Sequence, residues 1–516
     1  MRIGPAIGAG LAAALAIGLA LPTYAAPNDI SRAKLPAAAS TRAEQALAHV
    51  QAVFDGGHPG NARASVHPSR DATLALRDLA RVRGQLRGTA AREADRLLAR
   101  PAATRRSCTP RLCVHWRDAN VNQRDVLPSN GNGIPDYIDQ VRDTVDDVHQ
   151  QYVAAGYRAP RRDGDRGGND KPDIYIRDVG SLGLYGFCTT DKRFRARGPF
   201  NSWAYCVLDN DYRRGQFPAL DPIQNMQVTA AHEYFHAVQF AYDALEDSWF
   251  MEATATWAED EIFDDINDNL QYLRRGPLRQ PQVPLDKFVV GGTHQYGDWI
   301  FFRYLTERFP GTVGMSPLVR QMWQRADASP FGPDMYSLQA IRSTLAARGE
   351  SFARLFAEFA DANRRPADVY DEGADNSYPR APLSGSRLLG PGQSSGRIAR
   401  ELDHLSSATI QFTPTGLTSR LRITVDMSKA PRSSIAVVST YPVGDLPVPS
   451  LLSFERLGVR SLTVPFVQGE VSRVEVTLVN ASTRTRCWAR AISPFSCFGI
   501  PRDDNSPLFV RAVAVP

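Results

Sequence analysis

Hydrophobic positions change their period several times along the chain, and each change marks a segment of different character. After Met1-Arg2 comes an apolar run from Ile3 to Leu21, closed by Pro22-Thr23-Tyr24-Ala25-Ala26. A short positive start, an apolar stretch and small residues at its end predict a signal peptide over residues 1–25, cleaved after Ala25. Between Asp71 and Ala99, Leu74, Leu76, Leu79, Val82 and Leu86 form an apolar stripe broken at Gly84 and Gly88, which predicts one or two amphipathic helices. Residues 26–105 therefore read as a helical N-terminal segment, either a propeptide covering a cleft or a permanent lobe. Residues 106–370 are mixed in pattern. Val114-His115-Trp116 and Asp173-Ile174-Tyr175-Ile176 predict strands, and helices dominate from Met226 to Ala362. Strands first and helices after predict an α+β domain. Residues 371–400 read as a linker from their Gly, Ser and Pro content. Over 401–516, the stretches Ala408 to Phe412, Leu421 to Val425, Ile435 to Val438 and Val474 to Leu478 predict a C-terminal all-β sandwich.

Composition narrows the setting. Hydrophobic residues make up 43% of the chain, enough for real cores. No later run approaches the ~20 apolar residues of a membrane span. No cysteine stands at the expected cleavage site to carry a lipid anchor, so the mature protein is expected to be soluble and exported, secreted or periplasmic. Lys+Arg of 60 against Asp+Glu of 55 leaves a formal charge of +5, too mild and dispersed to imply a nucleic-acid partner. The six cysteines fall into three sequence-local pairs, Cys108 with Cys113, Cys188 with Cys206 and Cys487 with Cys497. That spacing predicts disulfides formed in an oxidising compartment.

The candidate chemistry lies in His232-Glu233-Tyr234-Phe235-His236. Its flanks lack Gly and Pro and are rich in helix formers, so the motif is expected on a helix, where His232 and His236 share one face and Glu233 stands beside the same ion. Catalytic zinc takes three protein ligands and leaves a position for water. The metzincin pattern fails, because Gln239 and Tyr242 stand where it needs Gly and His. A glutamate from a second helix is the other solution, and the segment Trp249 to Asp260 offers Glu252 and Glu259. Asp247 or Ser248 caps that helix, and Ala253, Ala255 and Ala258 allow close approach. Glu252 is the expected ligand, with Glu259 orienting a histidine.

The stretch AAHEYFHAVQFAYD…WFMEATATWAEDEIFDD resembles the gluzincin-type zinc metallopeptidases, and is most similar to a family of secreted metalloproteases of myxobacteria and related Gram-negative bacteria. LLARP at Leu97, NGIPDYID at Asn132, DIYIRDVGSLGLYGFCTTD at Asp173 and HQYGDWIFFRYLTERF at His294 resemble the same family, so the likeness spans roughly residues 90 to 310. It implies a zincin-like fold for the α+β domain, His232, His236 and Glu252 as zinc ligands, and Glu233 as the catalytic acid–base group. Strands followed by a helical half carrying the motif agree with that plan.

The expected function is an exported zinc hydrolase, an endopeptidase acting on protein or peptide substrates, with Glu233 as general base. His294 and Tyr296 are the candidate oxyanion donors. Two rivals stand beside it: a surface binding or adhesion protein with a structural zinc, and a zinc amidase acting on cell-wall amides. The C-terminal domain is a candidate binder of glycan or protein. A Ca2+ loop of the D-x-N-x-N-G type is considered at Asn130 to Asp136, but Pro128 stands at its first ligand position. A Gly-rich turn closed by side-chain hydrogen bonds is the preferred reading there. Asp163, Asp165, Asn169 and Asp170 read as a solvated loop.

Overall fold

Among the described residues, three α-helices precede the first strand: α1 (Ala37–Phe54), α2 (Ala72–Val82) and α3 (Gly88–Leu97). The computed structural model describes residues 37–55, 72–121, 130–431, 433–453, 458–489 and 493–515, so the expected signal peptide, 1–25, lies outside the described residues. Gly88 takes φ +58°, a left-handed backbone that lets the chain turn between α2 and α3. Only Asp78 and Arg81 of α2 keep partial exposure. A helix so enclosed must have partners on more than one side.

Those partners belong to a five-stranded mixed sheet of order β1-β2-β3-β5-β4. The strands are β1 (Arg105–Cys108), β2 (Cys113–Trp116), β3 (Asp173–Arg177), β4 (Gly186–Thr189) and β5 (Tyr205–Asp209). β2, β3 and β5 run parallel, with β1 and β4 antiparallel at the edges. Side chains alternate between faces along a strand. Ile174, Ile176, Cys206 and Leu208 join the main core, whereas Tyr175, Phe187, Tyr205 and Val207 join a second core with Leu76, Leu79, Val82 and Leu98. The N-terminal helices thus cover one face of the sheet. α4 (Asp136–Ala154) and α5 (Pro222–Asp243) contribute to the core on the other face. Arg100 pairs with Asp163 at 2.6 Å, with Asp191 at 3.1 Å and with Asp173, the first residue of β3. Asp163 is therefore not solvated as expected, because this arginine draws it into the interior.

The helical half continues with α6 (Ser248–Ile262), α7 (His294–Gly297), α8 (Trp299–Arg308), α9 (Pro317–Arg325), α10 (Ser337–Ala346) and α11 (Phe352–Ala362). Large rings, among them Trp249, Trp257, Trp299 and Trp323, fill its core. α6 packs against both α5 and α8.

The strand-rich C-terminal region begins earlier than composition indicates. Residues 371–400, expected to be a linker, carry β6 (Leu383–Leu389) and the start of β7 (Ile398–Leu402). β6 pairs in parallel with β8 (Ser406–Pro414), and backbone pairing at a sheet edge needs little apolar content. The other strands are β9 (Arg420–Asp426), β10 (Ser434–Pro442), β11 (Val448–Ser453), β12 (Val459–Pro465), β13 (Val471–Asn480), β14 (Thr485–Arg486), β15 (Ile500–Pro501) and β16 (Ser506–Val515). Sheets of order β11-β10-β13-β8-β6 and β12-β9-β16-β7 share one core, from Ala436, Val438, Val476 and Leu478 on one side to Ile423, Val425, Val510 and Ala512 on the other. The intervening residues Ile435, Val437 and Val479 point the opposite way, into the main core. A buried ion pair, Glu475 with Arg364 at 2.9 Å through both oxygens, ties the halves together. The observed class is α+β with a strand-rich C-terminal region, and among the described residues no helix is long and apolar enough to cross a membrane. All three expected disulfides are formed.

Candidate metal centre

α5 opens on a capping box in which Asp221 accepts from the Gln224 amide at 2.9 Å and Gln224 returns to the Asp221 N–H at 3.3 Å, with Pro222 in the first turn. From Val228 to Asp243 the helix is buried on every side. At 3.6 residues per turn His232 and His236 fall on one face, one turn apart. A short corner leads to α6. Asp247 stands at its N-cap position, yet its carboxylate does not cap the helix as expected. It accepts instead from Ser337 Oγ at 2.6 Å and the Cys497 N–H at 2.7 Å.

Glu252, one turn into α6, meets both histidines. Its Oε2 lies 3.2 Å from His232 Nε2 and 3.6 Å from His236 Nε2, and the two Nε2 atoms are 3.1 Å apart. Bonds of about 2.0–2.2 Å to one tetrahedral zinc would set ligand atoms roughly 3.3–3.6 Å apart, so the triangle has nearly the size of one face of that tetrahedron.

The far nitrogens decide which ring atoms face the triangle. His232 Nδ1 lies 2.5 Å from Glu259 Oε1, and His236 Nδ1 lies 2.7 Å from Gln239 Oε1. Both partners accept, so each Nδ1 carries the proton and each Nε2 presents a lone pair, a tautomer assigned from these contacts. Gln239 is itself oriented, donating to Met251 O at 2.9 Å and Thr254 Oγ1 at 3.1 Å. Burial opposes ionisation of Glu252, but the two imidazoles outweigh it and hold the carboxyl down to about 2. Glu252 Oε1 is buried with no hydrogen-bond partner among the described residues. Two imidazole lone pairs and a carboxylate converging in a buried space suit a divalent cation of the zinc type.

Two other groups among the described residues have ligand-like spacing. In one, Cys113 is already in a disulfide. In the other, Arg303 pairs with Asp260 and occupies a carboxylate.

Glu233, next in sequence to His232, is fully buried, and burial pushes its carboxyl up. Its Oε1 has no hydrogen-bond partner among the described residues. Its Oε2 accepts from Thr73 Oγ1 on α2 at 2.8 Å, and that hydroxyl in turn accepts from the Cys188 N–H at 2.9 Å. Tyr296 reaches the centre, its ring centroid 6.2 Å from that of His232 and 5.1 Å from that of Tyr272. His294 does not come with it. Its Nδ1 and Nε2 face Arg275 O at 2.8 Å and Pro284 O at 3.2 Å, so the loop before α7 holds it. At the considered Ca2+ loop, Asn130 and Asn132 both donate to Asp139, and Asn130 and Asn132 accept from backbone amides two residues on. Pro128 lies outside the described residues.

Sequence reasoning passes over Gln239 and Thr73. Gln239 is three residues beyond His236, within reach on the same helix face, a signal open to inspection. Thr73 is a polar residue next to Leu74 of the apolar stripe, a weaker signal of a second buried face.

No family model matches the chain, and no curated protein matches it. Among solved structures it is similar to the pre-peptidase C-terminal domain of a collagenase from Bacillus anthracis, at 7% identity over 25% of this chain and 96% of that chain, with a TM-score of 0.15. It is also similar to a family GH115 4-O-methyl-alpha-glucuronidase with specificity for decorated arabinogalactans, at 10% identity over 57% of this chain and 38% of that one, TM-score 0.15. At that score neither likeness carries an argument about fold or activity.

Proposed function

We propose that the chain is an exported zinc-dependent hydrolase and that its reaction is endopeptidase cleavage of protein or peptide substrates. A mixed sheet followed by two helices that share a metal centre agrees with a zincin-like domain. Zinc held by His232, His236 and Glu252 would polarise the scissile carbonyl and acidify a water. Glu233 takes a proton from that water as its oxygen bonds to the carbonyl carbon. When the C–N bond breaks, Glu233 passes the proton to the leaving nitrogen, and the products are a carboxylate and an amine. Tyr296 is the candidate donor to the oxyanion. Glu259 and Gln239 keep both Nε2 lone pairs turned inward.

The observation that carries this reading is the triangle of His232 Nε2, His236 Nε2 and Glu252 Oε2, with edges of 3.1 to 3.6 Å, together with Glu233 Oε1, which has no hydrogen-bond partner among the described residues. Three disulfides among local cysteine pairs support export. The test is a digest of denatured protein with zinc-loaded enzyme, before and after limited proteolysis. Cleavage abolished by a chelator and restored by zinc is the expected result. One observation favours a second reading: a centre this enclosed also suits a structural zinc in a binding protein whose C-terminal sheets meet a glycan or protein. Absence of any chelator-sensitive hydrolysis would select that reading.

A further inference from the structure

The centre is shut off from solvent. His232, Glu233, His236 and Glu252 are all 0% exposed, and Tyr296 is 3% exposed. A substrate must reach Glu233, and the group standing against it is Thr73 of α2. One hydroxyl takes both the Glu233 carboxylate and the Cys188 N–H of β4, an edge strand of its sheet. One turn further along α2, Arg77 is 1% exposed and reaches the corner between the two metal-bearing helices. Its Nη1 donates to Glu246 O at 2.9 Å, and its Nη2 donates to Ser248 Oγ at 2.9 Å. It is a cation near Asp243 and Asp247, acids that burial pushes up to about 7 and about 6. Thr73 and Arg77 share one face of the helix. Ala75, Leu76 and Leu79 pack on the N-terminal side, in the core shared with α1 and the sheet.

We propose that α2 is an autoinhibitory plug, locked by Thr73 on Glu233 and by Arg77 in the α5–α6 corner, and that the chain is latent until α1 and α2 leave. The proposal rests on the hydrolase reading of this centre. Arg87 ends the short link after the plug, and it is exposed, as are Gly88 and Thr89 at the start of α3. Hydrolysis of the Arg87–Gly88 bond by an arginine-specific protease frees α1 and α2. The chain beyond the link stays anchored: the Tyr205 hydroxyl donates to Leu98 O and Ala99 O, and Arg100 holds its three aspartates.

The test inserts a site-specific protease sequence between Arg87 and Gly88, cuts the folded zinc-loaded protein and removes the N-terminal fragment. Hydrogen exchange at the Cys188 amide reads the plug without zinc or activity, and the rate of zinc loss to a chelator reads access to the centre. Both should rise at least about tenfold on cutting, the scale of one lost hydrogen bond, and fall again when the fragment is added back. Should the cut protein unfold, uncut Thr73→Ala/Arg77→Ala decides: its Cys188 amide should exchange about tenfold faster. Unchanged exchange in the folded cut protein, or in the double variant when cutting unfolds the chain, overturns the plug. If exchange rises but the opened protein cleaves no peptide, the endopeptidase reading falls and the plug stands. Equal peptide cleavage before and after cutting sinks the plug and leaves the hydrolase.

Discussion

Replacing Gln239 by Leu tests how His236 is presented to the proposed zinc. Leucine keeps the bulk and the helix propensity of glutamine but removes its amide. Three contacts go: the one to His236 Nδ1 at 2.7 Å and the two to Met251 O and Thr254 Oγ1 at 2.9 and 3.1 Å. Thr254 keeps its bond to Phe250 O at 2.7 Å and the one from Trp323 at 3.2 Å, so it is not stranded. His236 Nδ1–H loses this acceptor and Met251 O loses the amide donor, and a buried polar group left unpaired costs about 1–3 kcal/mol. The imidazole relieves its share by moving the proton to Nε2, and that tautomer has no lone pair on the nitrogen that faces the triangle. Loss of such a supporting contact typically costs about 10–100-fold in metal affinity, or roughly 1.4–2.7 kcal/mol. Competitive zinc titration against a chromophoric chelator measures it, beside thermal unfolding of the zinc-free protein. Gln239→Glu, which still accepts from His236 but sets a carboxylate against Met251 O, should bind zinc better than the leucine variant while losing stability. A folded Gln239→Leu protein with wild-type zinc affinity would refute the reasoning.

Glu252→Ala should lower zinc affinity by orders of magnitude in the same titration, and Glu259→Ala by about 10–100-fold, because the first removes a ligand and the second a partner of His232; the reverse ranking would exchange their roles. Burial pulls the His404 imidazole down, but Asp286 and Asp504, at 2.8 and 2.6 Å, more than offset it and lift it to about 10. Its folded value lies above the ~6.5 of free histidine, so its stabilisation is complete below about pH 6.5 and lost as pH rises through its folded value. Thermal unfolding from pH 6.5 to 10 should therefore fall more steeply in wild type than in His404→Gln, and parallel curves would contradict this. Replacing Cys188 and Cys206, 18 residues apart, by alanine should cost about 3 kcal/mol in denaturant unfolding, and no change would show that the bridge does not constrain the unfolded chain.

The two helices that bring His232, His236 and Glu252 together are legible in the sequence because local geometry governs them. Residues four apart on a helix share a face, and a short corner with small residues beyond it returns Glu252 to that face. β10 is legible too, since a strand buried on both sides reads as a continuous apolar run. Thr73 meets Glu233 across 160 residues, and no local period encodes that contact. Asp247 is drawn from its capping role by Cys497, 250 residues away. β6 is hidden for a different reason: it lies at a sheet edge, largely exposed, and needs no apolar alternation to pair. His294 and Tyr296 sit two residues apart, yet only the second turns toward the centre, because carbonyls before α7 hold the first.

Glu233→Gln gives the most direct measurement of the central claim, made on zinc-loaded protein with the N-terminal helices in place and again after their removal. Glutamine preserves size and helix fit while removing the base, so zinc content and thermal stability should stay near wild type. Hydrolysis of a peptide library by the opened protein should fall about 10²–10⁴-fold, mainly in kcat. A wild type that binds zinc and, once opened, cleaves nothing would contradict the account, as would a Glu233→Gln variant that cleaves as fast as wild type.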